Sequence, residues 1–156
     1  MPYDYADLKA ELALPAYGGM TDQQAADALN AVNIAVTVDA QVRDVLSTLI
    51  VRPAWPKIEL LSREAPNQDA THDTALAAAV ALVRLVETFK DGIVEMTNPT
   101  VAAMVEGQLD AFVAAGVMAA DDKAAVLALS SATVSRASQI GWAGVTDLDV
   151  AKARAL

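Results

Sequence analysis

Apolar residues recur at helical spacing along most of the chain. Tyr5, Leu8 and Leu12 share one face of a first helix from about Asp4 to Leu14, which Pro15 and Gly18-Gly19 end. Thr21 starts a second helix. Its hydroxyl is placed to accept from the Gln24 amide while Gln24 reaches back, and Ala25, Ala28 and Leu29 form a narrow stripe behind that capping box. Between Asn33 and Val38 the period changes. Ile34, Val36 and Val38 alternate with Ala35 and Thr37, the pattern of a short strand or an extended connector. Asp39 is the expected N-cap of a third helix carrying Val42, Val45, Leu46, Leu49 and Ile50, and Pro53 stops it. Trp55-Pro56 then begins a helix with Ile58, Leu60 and Leu61.

Ala65-Pro66-Asn67-Gln68-Asp69 is the strongest loop signal. The longest helix follows, from about His72 to Lys90. It is apolar on most sides, which places it at the centre of a bundle, with Gly92 as its left-handed cap. Asn98-Pro99 starts a helix through Val101, Met104, Val105, Leu109 and Phe112 that ends at Gly116. Asp121-Asp122 opens another, expected to reach about Gln139, and Gly141-Trp142-Ala143-Gly144 breaks it. Thr146 with Asp149 starts a terminal helix. The fold expected is all-α: one domain over 1–156, a compact bundle of about six to seven helices with one short strand or hairpin near 33–38. The loop at 65–71 is where such a domain would divide. Gly19-Met20-Thr21-Asp22 is echoed by Gly144-Val145-Thr146-Asp147, but what the two share is capping chemistry, not a repeat period.

Composition sharpens this picture. The chain has 156 residues, 34 of them Ala, and only seven are aromatic. The core therefore relies on close helix approach, with each large ring filling a particular place. Acidic residues number 20 against 11 basic ones, a net charge of -9 that argues against binding nucleic acid or an anionic membrane. Zero Cys excludes disulfides, thiol nucleophiles and thiolate metal sites, and a single His excludes a multi-His metal site within the chain. The N-terminus lacks the basic and apolar regions of a secretory signal. The longest apolar run, Ala75 to Val83, is well short of the roughly 20 residues of a membrane span.

Candidate chemistry is sparse. His72 lies near Asp69 and Asp73, a pair suited to general-base work, yet its place in a first turn after a polar loop reads as solvated. The hydroxyls at Ser130, Ser131, Thr133, Ser135 and Ser138 have no base nearby and read as a tight helix contact. Asp121, Asp122, Asp147 and Asp149 suit helix N-termini before they suit a metal. Arg136, Lys152 and Arg154 read as ion-pair partners for the acidic excess. No catalytic, cofactor-binding or metal-binding residue is assigned. Trp55 between two prolines and Trp142 between two glycines each read as either a core lid or an interface anchor, and with Tyr17, beside Gly18-Gly19, they are the candidate interface residues.

Two stretches carry a family resemblance. One is Tyr5-Ala6-Asp7-Leu8-Lys9-Ala10-Glu11-Leu12, with Gly19-Met20-Thr21-Asp22 and Ala26-Asp27-Ala28-Leu29-Asn30. The other is Ala114-Ala115-Gly116-Val117-Met118, then Ser135-Arg136-Ala137-Ser138, Gly144-Val145-Thr146 and Val150-Ala151-Lys152-Ala153-Arg154. Together they resemble small Ala-rich proteins of tailed bacteriophages and prophages, which often occur among morphogenesis genes and mostly lack an assigned activity. The resemblance covers the two ends; the stretch 33–96 does not carry it. It implies a non-enzymatic virion component, associated with the tail or its fibres, present in the particle and in the host cytoplasm during assembly. Its expected partners are other virion proteins and further copies of itself. The alternative is an accessory protein that blocks a host defence factor, where the charge of -9 would imitate nucleic acid.

Overall fold

The computed structural model describes residues 4–89 and 91–156. The chain order begins with helix α1 (Tyr5–Leu12), a 3₁₀ turn, helix α2 (Asp22–Asn30) and strand β1 (Val32–Thr37). Strand β2 (Ala40–Gln41), helices α3 (Val42–Val51), α4 (Trp55–Leu61) and α5 (Ala70–Phe89), and strand β3 (Ile93–Val94) follow. Then come α6 (Pro99–Ala114), α7 (Ala120–Ala128), strand β4 (Ser131–Ser135), α8 (Arg136–Gln139) and α9 (Asp147–Ala155). The described residues are thus mostly helical, with a few short strands.

Side-chain caps set most of the helix starts. The Asp4 carboxylate accepts from the Ala6 amide at 2.8 Å, and Asn98 accepts from Thr100 at 3.0 Å. Thr21 with Gln24, and Thr146 with Asp149, form complete capping boxes. Gly116, with φ +69, ends the turn after α6 in the left-handed region that glycine favours.

The chain folds into two compact units. One takes the residues up to Val36 and those from Ala132 onward; the other is the uninterrupted stretch Thr37–Ser131. In the first unit α1 packs on α9, and α2 packs on α8 and α9. Leu8, Leu29, Trp142 and Val150 are buried in its core. The Asn30 side chain ties the closing turn of this unit down, donating to the Val145 carbonyl at 2.7 Å and accepting from the Val145 amide at 2.9 Å. β1 pairs with β4.

In the second unit α5 lies between α4 and α6, α3 packs on α4, α5 and α7, and α6 packs on α7. Its core holds Leu49, Ile58, Leu76, Phe112, Met118 and Val126. Full burial of each such aliphatic or aromatic side chain contributes about 1.5–3 kcal/mol. β2 pairs antiparallel with β3, with Ala40 opposite Val94 and Gln41 opposite Ile93.

Several expectations change. The helix expected from Asp121 to Gln139 is interrupted: α7 stops at Ala128, β4 intervenes and α8 is a single turn. Ser, Thr and Val lose side-chain freedom in a helix or compete for its backbone, and this run lies where strand pairing is available. The hydroxyl cluster is accordingly not a helix contact. Ser130 Oγ donates to the Leu127 carbonyl at 2.7 Å, and Ser135 caps α8. Asp39 does not cap α3, whose N-cap is Gln41; its carboxylate accepts from the Thr97 amide and hydroxyl at 3.0 and 2.7 Å. Gly92 is not in the left-handed region. Its amide donates to the Phe89 carbonyl at 2.7 Å, and a Cβ there would meet that oxygen at 2.9 Å. α5 runs to Phe89; the end expected at Lys90 lies outside the described residues. The strand near 33–38 pairs with the distant β4 and not in a local hairpin. The loop at 65–71 lies within the second unit and divides nothing; the unit boundaries fall in β1 and β4.

Candidate functional site

One concavity belongs to the second unit. It is a cavity of about 380 Å³, enclosed by α3, α5, α6, α7 and the β2–β3 pair. The helical periodicity that fills the core also builds this cavity. Along α6, Val101, Met104, Val105, Gln108 and Leu109 fall on one face by i, i+3, i+4 spacing. Leu82, Leu85 and Val86 face the same space from α5, and Val42, Val45 and Leu49 from α3. Val126 and Leu127 close it from α7. Met104 and Ile93, 52% and 57% exposed, stand at its open side.

Few polar groups reach this space. Ser130 is buried, and its hydroxyl proton is directed to Leu127. Gln108 is half-buried and its side chain has no hydrogen-bond partner among the described residues. Glu95 is exposed and is the one charged side chain on the lining among the described residues. The rest of the described lining is apolar.

The candidates singled out from the sequence are placed elsewhere. Trp142 is 2% exposed, within the first unit's core, and meets the Tyr5 ring edge-to-face with centroids 5.2 Å apart. Tyr17 is also buried, and its hydroxyl donates to Glu11 Oε1 at 3.1 Å. Trp142 thus takes the core alternative, and Tyr17, a candidate interface residue, also belongs to the first unit's core. Trp55 is half-buried against the second unit's core and keeps a solvent face. Near it in sequence, Ile50, Val51 and Leu60 are exposed, Val51 by 79%.

The remaining polar residues form closed clusters. His72 Nε2 lies 2.9 Å from Glu64 Oε2, and Nδ1 lies 3.2 Å from Asp73 Oδ1. Hydrogen bonds to Glu64 and then Asp73 raise the ring's pKa. His72 is therefore clamped between two carboxylates and is not simply solvated. In the first unit Arg136 holds the buried Glu11. Its hydrogen bonds keep that carboxyl below its ordinary range, against the opposing push of burial. Arg154 pairs with Asp22, and the Lys152 ammonium lies 5.8 Å from the Tyr5 ring centroid. Asp122 accepts from the Ala119 amide and pairs with Arg52, while Asp149 accepts from Tyr5 and Thr146. These aspartates serve their own helix starts, and no cluster of three metal-ligating side chains occurs among the described residues. Among the same residues, no helix is long and apolar enough to cross a membrane.

No family model, curated protein or solved structure matches this chain. The cavity and the exposed apolar residues of the second unit are therefore the features from which a function can be argued. Sequence reasoning missed the cavity. Its lining has the same apolar spacing as a filled core, and only the separation between helices distinguishes the two.

Proposed function

We propose that the protein is a non-enzymatic structural and interaction component of a bacteriophage, associated with the tail or its fibres. One observation supports this most: the polar clusters are satisfied inside their own units, while the open concavity and its surroundings are apolar. Such a surface suits contact with other macromolecules. The resemblance of the two ends to small phage proteins points the same way. On this reading the second unit makes the contacts, through Trp55 and the exposed Ile50, Val51 and Leu60. The partners are other virion proteins and further copies of the chain, met in the host cytoplasm during assembly.

A second reading, a factor that occupies a basic site on a host defence protein, is favoured by one feature. Arg52, Arg63, Lys123, Arg136 and Arg154 are all tied to carboxylates, which leaves the acidic excess exposed to a partner. Mass spectrometry of purified particles separates the two. A virion component is present in fixed stoichiometry in intact particles. Absence from particles, together with salt-sensitive capture of a host protein, overturns the first reading in favour of the second.

A further inference from the structure

We propose that the second unit's cavity binds a small uncharged amphiphile, with an apolar body and one neutral hydrogen-bonding head, such as a medium-chain alcohol. This goes beyond the role in a phage and does not depend on it. The volume, about 380 Å³, falls in the roughly 300–1,000 Å³ range of small-molecule sites. At ~30 Å³ for each small group it holds about a dozen non-hydrogen atoms. Four helices and a strand pair surround it, so the space suits a short chain or a ring and not a whole helix, which is roughly 10 Å across. Its walls lack the dispersion contacts that a filled core supplies, and an apolar body restores them. Met96 and Met104 add flexible thioethers that adjust to the shape of the occupant.

The head is chosen by the polar groups. The Ser130 hydroxyl donates to Leu127, so its oxygen remains able to accept. The Gln108 amide both donates and accepts and has no partner among the described residues. A hydroxyl or amide head complements either one. Among the described residues the lining offers a carboxylate head no Lys or Arg, and it carries Glu95. Glu95 is exposed and screened by solvent, so it gives a cationic head little in return.

The test uses the full chain and the small fluorophore 1-aminonaphthalene, neutral at pH 7 and with 11 non-hydrogen atoms. Its fluorescence should rise saturably with one site per chain. Decanol should displace it at concentrations at least tenfold below those of decanoate or decylamine. Val105→Trp fills the cavity and should weaken the fluorophore at least tenfold. Met104→Lys, at the exposed mouth, leaves the core intact and should narrow the margin by which decanol outcompetes decanoate; it carries the test if Val105→Trp does not fold, as judged by circular dichroism. No saturable rise overturns the proposal. So does a charged amphiphile displacing best from the unaltered chain, or folded variants that bind exactly as the parent does.

Discussion

Arg136 grips the carboxylate of Glu11 with two hydrogen bonds, Nε to Oε1 at 2.8 Å and Nη2 to Oε2 at 2.7 Å. These residues lie on α8 and α1, so the pair joins the two chain segments that build the first unit. Glu11 is 7% exposed, and removing its partner leaves a charge buried without compensation. Arg136→Ala should lower the melting temperature by several degrees. The double variant Glu11→Gln, Arg136→Met should recover part of the loss, because it removes the stranded charge as well. An unchanged midpoint in the single variant would show that the pair contributes nothing.

His72 makes stability depend on pH. Its pKa is raised from the ordinary 6.5 by Glu64 and Asp73. A raised value means that the folded chain binds the proton more tightly than the unfolded chain. The stabilisation is therefore complete below pH 6.5 and is lost as pH rises through the raised value. Urea midpoints should fall across that interval, and His72→Gln should flatten that part of the profile. An identical profile in the variant would remove the ring from the account.

The two tryptophans should respond differently to solvent. Trp55, half-buried, should be quenched by iodide more strongly than Trp142, which is nearly inaccessible. The single-Trp variants Trp55→Phe and Trp142→Phe assign the signals. Trp142→Ala should cost roughly 3–5 kcal/mol in chemical unfolding. If the protein assembles through the second unit, the Trp55 emission should shift on assembly and the Trp142 emission should not.

The two complete capping boxes give a smaller effect. Thr21→Ala and Thr146→Ala should each cost about 1 kcal/mol. Serine at either position keeps the accepting oxygen and should restore most of that loss.

Local chemistry explains which parts of this fold could be read from the chain. Thr21, Asn98 and Thr146 signal their helices with side chains that act within three residues, and the structure has all three. The failures come where the decision is made at a distance. Asp39 looks like a cap until Thr97, far along the chain, provides better donors. Ser131–Ser135 reads as helix from its flanks, yet it becomes a strand because β1 is there to pair with it. The neighbours of Trp142 allow either a core lid or an interface anchor, and Tyr17 lies beside two glycines; only tertiary packing decides that both are enclosed. The cavity is the extreme case, since it depends on side chains from four helices and a strand pair at once.

The order in which the polypeptide leaves the ribosome acquires a meaning from the first unit's split composition. Helix α1 cannot gain its partner α9 until residues 147–155 have been synthesised, whereas Thr37–Ser131 emerges as one continuous piece. During translation the inner piece can mature first, while the early segment waits with Leu8, Leu12 and Leu29 still uncovered.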